Sequence, residues 1–314
     1  MKTLLCGELD AGERHAWLHA LAAALPEATW LDLAAARAAP GEVTAAVVAN
    51  PPPGSLQGLG GLRLIQSLWA GVDRLLLDAT LPAGVPVARM VDPAMASAMA
   101  ETALWATLAL QRGFFEYANR QRAGVWRPHG QRRADEVRVT VLGAGQMGAA
   151  VAARLVAQGY PVSAWVREAR PAVTGGMALH AGEAALRGLV PLSDIVINLL
   201  PLTAATRGLL DARFFSALPA GAAVVNLGRG AHLVDADLLA ALDSGHLSHA
   251  VLDVFQIEPL PAGHPFWAHP GVTLLPHVAA LTDPRSAAEV VAANLRALRD
   301  GQPLAHLVDR RQGY

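Results

Sequence analysis

Three polar side chains close three short apolar runs toward the end of this 314-residue sequence. Arg229 ends A-A-V-V-N-L-G-R, Glu258 follows V-L-D-V-F-Q-I, and His277 follows V-T-L-L-P. A carboxylate beside an imidazole makes a tunable proton donor, and an arginine can grip a carboxylate in a fork. Such a set suits reduction of a 2-keto acid, provided that a hydride source lies nearby. Taken singly, each residue has a plainer reading: Arg229 as a structural ion pair, Glu258 as a loop carboxylate before Pro259, His277 as a core histidine. Their joint occurrence at strand ends, beside a dinucleotide motif, is what favours chemistry.

The runs that carry these residues are rich in Val and Leu and bounded by Gly or Pro, as buried parallel strands are. In open α/β sheets, ligands bind just past the carboxyl ends of the strands. The hydride source has its own signature upstream. A strand over Val137–Leu142 runs into Gly143-Ala144-Gly145-Gln146-Met147-Gly148, and an apolar helix follows over Ala149–Gln158. The first glycine allows the tight turn, the second lets a pyrophosphate approach the backbone, and the third lets helix and strand pack closely. The helix N-terminus offers oriented N–H donors. The next strand, Pro161–Val166, ends in Arg167-Glu168, with Arg170 close behind. An acidic residue at this point binds the ribose hydroxyls of NAD, whereas an arginine suits the 2′-phosphate of NADP. Arg167 stands first after the strand, which favours NADPH; Glu168 keeps NAD(H) open. Runs over Asp194–Leu200, Ala223–Leu227, His249–Phe255 and Val272–Leu275 bring the strands of this segment to about six.

The first hundred residues alternate strands with helix-length pieces: Thr3–Cys6, Thr44–Ala49, Leu62–Ser67 and Val85–Val91, with a helix over Gly12–Leu25. That alternation argues for a second parallel α/β unit. After Leu62–Ser67 comes Trp69-Ala70-Gly71-Val72-Asp73. Its small residues could bring backbone N–H groups up to a substrate carboxylate; equally, it could be an ordinary helix start. Asp92-Pro93 opens a long helix to about Arg112, Gly124–Asp135 reads as a polar connecting loop containing Trp126, and Pro284–Leu298 is a last helix that returns to the first domain. The expected domains are therefore 1–98 plus 285–314, discontinuous and substrate-binding, and 99–284, dinucleotide-binding.

Composition excludes several other classes. With 53% hydrophobic and 16% charged residues the chain is globular, and a net charge of −1 makes no electrostatic case for nucleic acid or membrane. Lys2 is the only lysine, so side-chain anion sites must use arginine. The one cysteine, Cys6, excludes an internal disulfide and fits a reducing compartment. Acidic residues interrupt the N-terminal apolar stretch and Glu101 interrupts the Ala-rich run near Met99, so a soluble, cytoplasmic protein is expected. His15 and His19 share a helix face but lack a third ligand, and neither H-E-x-x-H nor G-x-S-x-G occurs, so no metal site and no hydrolase is expected. His264 and His269 read as structural.

Taken in order and spacing, N-L-G-R-G at 226–230, D-V-F-Q-I-E-P-L-P at 253–261 and P-H-V-A-A at 276–280 resemble the active-site blocks of the D-isomer-specific 2-hydroxyacid dehydrogenases. W-A-G-V-D at 69–73 resembles that family's substrate loop. L-L-P-L-T at 199–203 and Trp-Val-Arg at 165–167 look closest to its glyoxylate/hydroxypyruvate reductase A branch. The resemblance covers nearly the whole length. It implies two Rossmann-like or flavodoxin-like domains with parallel sheets and a cleft between them, and NADPH-dependent reduction of glyoxylate or hydroxypyruvate by a homodimer. Arg229 would bind the carboxylate and polarise the keto oxygen, His277 would protonate that oxygen as general acid, and Glu258 would hold the imidazole. Trp69, Ala70 and Gly71 would line the substrate. Gly143, Gly145, Gln146, Met147, Gly148, Arg167, Leu200, Pro201, Thr206, Leu227, Gly228, Asp253, His277 and Ala279 would face the cofactor. Gly228 departs from the Ala or Ser common before the catalytic arginine, and Trp69 is bulkier than many residues at its place. An NADH-dependent enzyme for another 2-keto acid, or a nucleotide-sensing relative without turnover, are the alternatives.

Overall fold

A computed structural model describes residues 1–169 and 177–314; Arg170, marked in the sequence, lies outside the described residues. The chain divides into two compact units, Met1–Met95 with Thr282–Tyr314, and Ala96–Leu281.

In the first unit, strands β1 (Lys2–Gly7), β2 (Thr29–Leu31), β3 (Val43–Ala49), β4 (Leu64–Ser67) and β5 (Val87–Ala88) form a parallel sheet in the order β2-β1-β3-β4-β5. Helix α1 (Ala11–Ala24) starts at a capping box in which the Asp10 carboxylate accepts from Glu13 N–H and Glu13 reaches back. Helices α2 (Leu33–Ala38) and α3 (Asp73–Leu76) are short. Leu4, Cys6, Val48, Ile65 and Val87 share a core with Leu56, Leu59 and Leu75.

Helix α4 (Pro93–Gln111) carries the chain into the second unit and is followed by α5 (Phe114–Arg122). The second unit then runs β6 (Val139–Leu142), α6 (Gln146–Ala157), β7 (Val162–Val166), β8 (Ala178–Ala181), α7 (Glu183–Leu189), β9 (Ile195–Asn198), α8 (Ala212–Ala217), β10 (Ala222–Asn226), α9 (Asp235–Asp243), β11 (Leu247–Leu252) and β12 (Val272–Leu274). Among the described residues the sheet has seven parallel strands, in the order β12-β11-β10-β9-β6-β7-β8. The sequence signals six; β8 is a half-exposed edge strand without a continuous apolar run. Helix α10 (Pro284–Arg299) belongs to the first unit.

The central strands are buried on both faces, which is why they read as unbroken apolar runs. Val196 and Val224 pack into one core with Phe214, Phe215 and Leu238, whereas Ile197, Val225 and Val251 pack into the other with Val151 and Leu155 of α6. One register row aligns the strand ends: Trp165, Leu142, Asn198, Asn226, Leu252 and Leu274 are successive partners. Whatever follows those six residues emerges on a single edge.

Candidate active site

Arg229, Glu258 and His277 each lie a few residues past that row, on the loops after the adjacent strands β10, β11 and β12. His277 Nδ1 and Glu258 Oε2 are 2.7 Å apart. The other Glu258 oxygen accepts from Phe255 N–H at 2.9 Å, so the carboxylate is fixed at both ends. His277 Nε2 has no hydrogen bond among the described residues, and its side chain is half exposed. The Glu258 hydrogen bond raises the imidazole pKa above its usual 6.5. Burial and the Arg229 charge oppose that rise, while the Glu258 and Asp253 charges support it. Burial alone would lift the Glu258 carboxyl, but hydrogen bonds from His277 and Phe255, with the His277 and Arg229 charges, bring it below its usual value. The guanidinium is thus close enough to act electrostatically on both other groups, and the structure brings the three together.

Asp253 closes β11 and is buried. Its side-chain oxygens accept from Val278 N–H at 2.7 Å and Ala279 N–H at 3.1 Å, and its carbonyl accepts from His277 N–H at 2.9 Å. Ala279 is itself buried, with its carbonyl accepting from Thr102. Asp253 therefore shapes the His277 loop directly.

The glycine turn fits a dinucleotide. A methyl group on Gly148 would stand 1.8 Å from the Gly143 carbonyl oxygen, so helix α6 packs against its strand only with glycine there. Gly143 has φ +95° and lies against Leu199 and Leu200. Gly145 faces open space, and as N-cap of α6 it offers no side chain to the helix N–H groups, leaving those of Gln146 and Met147 to an anion. Arg167 follows β7 directly and lies 3.4 Å from the more exposed Glu168 carboxylate. Leu200 is buried against Gly143, Leu227 is buried, and Pro201 is half-buried. Thr206 is buried, and its hydroxyl donates to Pro201 O at 2.8 Å and accepts from Thr203 N–H at 2.9 Å. Its visible task is to lock the turn.

Residues 104–279 match the model for the NAD binding domain of D-isomer specific 2-hydroxyacid dehydrogenases. The chain belongs to the D-isomer specific 2-hydroxyacid dehydrogenase family. A glyoxylate/hydroxypyruvate reductase A of Serratia proteamaculans is 43% identical over 86% of this chain and 87% of its own length. A D-isomer specific 2-hydroxyacid dehydrogenase of Xanthobacter autotrophicus, solved with NADPH and MES, superposes with a TM-score of 0.93 at 39% identity, covering 100% of this chain and 99% of that one. An NADPH-dependent glyoxylate/hydroxypyruvate reductase of Sinorhizobium meliloti, solved with NADP and sulfate, gives 0.91 at 33% identity, with 100% and 99% covered.

In this 2-hydroxyacid dehydrogenase the loop after β4 lies in the first unit. Trp69, Ala70 and Gly71 are half-buried; Trp69 N–H donates to Ser67 Oγ at 3.0 Å, and the N–H groups of Ala70 and Gly71 have no partner among the described residues. His264 and His269 stand 3.3 Å and 3.2 Å from Asp235 and Asp243. Sequence spacing singles out none of Asn198, Asn226 and His232, which are buried beneath the Arg229 turn. The available signal was a polar residue ending each of two apolar strands. Among the described residues no helix is long and apolar enough to cross a membrane, and no cluster of metal-ligating side chains occurs.

Proposed function

We propose that this protein reduces a small 2-keto acid, glyoxylate or hydroxypyruvate, to the 2-hydroxy acid with NADPH. The observation that carries the reading is the 2.7 Å pairing of His277 with Glu258, electrostatically coupled to Arg229, on three consecutive strand ends of a dinucleotide-binding sheet. When bound, NADPH supplies the hydride. Arg229 binds the substrate carboxylate and polarises the keto oxygen. His277, protonated, donates from Nε2 to that oxygen as hydride reaches the carbonyl carbon, and the C=O becomes CH–OH. Glu258 accepts from Nδ1–H throughout, holding the ring and favouring its charged form. Asp253 keeps the His277 loop in place. In the first unit, the Ala70 and Gly71 N–H groups are candidate carboxylate donors and Trp69 a candidate limit on the size of the acid, by their resemblance to the family's substrate loop.

The choice of NADPH rests on Arg167 at the end of β7 and on the NADPH- and NADP-bound relatives. A homodimer fits the exposed apolar residues of one segment, Trp105, Phe114, Val125 and Trp126, the last 99% exposed; sedimentation of the purified chain tests it. A soluble cytoplasmic location completes the reading. The deciding experiment is an absorbance screen of glyoxylate, hydroxypyruvate and pyruvate against both reduced nicotinamides. Oxidation of NADPH with glyoxylate or hydroxypyruvate is expected. Cofactor binding without turnover on any acid would favour a nucleotide-sensing relative instead.

A further inference from the structure

Beneath the site lies a fully buried polar cluster that the proposed chemistry does not use. Asn198 and Asn226 end the neighbouring strands β9 and β10 and face each other in register. Asn198 Nδ2 donates to Asn226 Oδ1 at 2.9 Å and also lies 2.9 Å from His232 Nδ1. His232 is wholly buried in the short 3-10 turn Gly230–His232. Its Nδ1 accepts the Arg229 backbone N–H at 3.2 Å, and its Nε2 lies 3.2 Å from the Pro201 carbonyl oxygen. The amide pair completes the frame: Asn198 Oδ1 accepts from Leu200 N–H, Asn226 Oδ1 accepts from Gly228 N–H, and Asn226 Nδ2 donates to Arg229 O.

The partners fix the ring's proton. An amide N–H can only donate, so Nδ1 must present its lone pair to Arg229. A carbonyl can only accept, so Nε2 must carry the hydrogen. The imidazole is therefore a neutral strut of one tautomer, with one end on the backbone of Arg229 and the other on the turn at Pro201. Leucine or valine would fill the space and make neither bond. Asparagine carries an acceptor where Nδ1 stands but cannot reach Pro201; glutamine carries a donor near Nε2 but no acceptor at Nδ1.

We infer that His232 is a positioning residue that couples the substrate-gripping arginine to the turn beside the cofactor. This rests on the proposed keto-acid reduction, in which Arg229 holds the carboxylate, and on the family resemblance by which Pro201 faces the cofactor. Losing the strut leaves buried donors and acceptors unmatched and lets the guanidinium wander, so the effect falls on substrate recognition as well as on folding.

The test compares H232L, H232N and H232Q with the unsubstituted protein. It measures glyoxylate KM and kcat, NADPH affinity by fluorescence, and affinity of the NADP-bound protein for oxalate as an unreactive dianion. H232L is expected to raise glyoxylate KM and weaken oxalate by about tenfold, lower kcat several-fold, and weaken NADPH by roughly threefold. H232N is expected to return KM and oxalate affinity to within about twofold while NADPH stays weakened, and H232Q to show the opposite split. A purely structural role would lower melting temperature in all three and leave the constants of the folded protein unchanged; that result overturns the inference, as does H232N behaving like H232L. Should H232L fail to fold, the contrast of H232N with H232Q decides by the same readings. If the unsubstituted protein turns over no keto acid, the proposed function falls, and the oxalate and NADPH affinities alone decide the role of His232.

Discussion

Replacing Glu258 by glutamine removes one negative charge and leaves the shape nearly unchanged. The amide can still accept from the imidazole, so the ring keeps its place, but the charge that favours imidazolium is gone. The contact weakened, from charge-assisted to neutral, is one hydrogen bond of 2.7 Å between side chains 36% and 50% exposed. Such bonds contribute about 1.5–3 kcal/mol when shielded, and exposure to water moves the figure toward about 1–1.5 kcal/mol, or roughly tenfold in rate. The direction with pH is more diagnostic. Glu258 holds the His277 pKa above 6.5, and the proposed reduction needs the protonated ring. In the unsubstituted protein kcat/KM for reduction is therefore level at low pH and falls as pH rises through the elevated His277 pKa. In E258Q the main cause of the elevation is absent, so the fall begins at lower pH. Initial rates of NADPH oxidation with glyoxylate from about pH 5 to 9, in buffers of constant ionic strength, measure both effects. A falling limb that stays in place, or moves to higher pH, would refute the assignment of His277 as the acid held by Glu258.

Three further outcomes are expected. His277→Ala should lower kcat by about 10²–10⁴-fold, the usual contribution of a positioned general acid, with the NADPH dissociation constant within about threefold in a fluorescence titration; an equal loss of cofactor binding would place His277 in cofactor binding instead. Arg167→Ala should weaken NADPH by about tenfold and leave NADH within about twofold, and equal weakening of both would remove the case for Arg167 as the phosphate-selecting group. In Gly230→Ala the new methyl would stand 1.8 Å from the Phe255 carbonyl carbon, backbone against backbone. Overpacking of this kind costs about 1–3 kcal/mol, which should lower the melting temperature by about 2–12 °C; an unchanged melting temperature would show that the Arg229 and Phe255 loops are not pressed together.

The elements read most directly from the sequence are those buried on both faces. Every residue of β6, β9 and β10 is buried, so the apolar runs needed no periodicity to be seen. Edge strands are less visible: β2 and β8 are half-exposed three- and four-residue segments without a continuous apolar run. The run Val85–Val91 yields only Val87–Ala88 as strand, because Pro86 has no N–H and the N–H groups of Arg89 and Met90 turn to His306 O and Trp69 O. Every side chain of helix α5 is exposed or only partly buried, Phe115 alone packing on the core, so the segment before Trp126 gave no helical signal. The catalytic candidates were legible because each closes a strand. Asn198 and Asn226 also close strands, but a buried amide declares itself only through its partner. Their pairing follows from the register of β9 against β10, which no local stretch encodes.

His277 illustrates how a reactive group is held by residues far from it in sequence. Its φ is +57°, a left-handed conformation that costs a residue with a side chain about 1–2 kcal/mol. Asp253 receives the N–H groups of three successive residues there, one through its carbonyl and two through its side chain. At about 0.5–1.5 kcal/mol each, those bonds are enough to offset the conformational cost. Only a side chain with two accepting oxygens can take both Val278 and Ala279; asparagine would turn an N–H donor toward one of them. Leucine or methionine could fill the space but would leave two N–H groups of the loop unsatisfied. An acid at the end of β11 is thus required by the backbone shape of the neighbouring loop, and that shape presents the imidazole with Nδ1 toward Glu258 and Nε2 without a hydrogen bond among the described residues. The same charge also supports the protonated ring. Orientation and proton affinity at His277 are set by two carboxylates in one stretch, Asp253 through the main chain and Glu258 through the side chain, so D-V-F-Q-I-E holds the histidine from both sides.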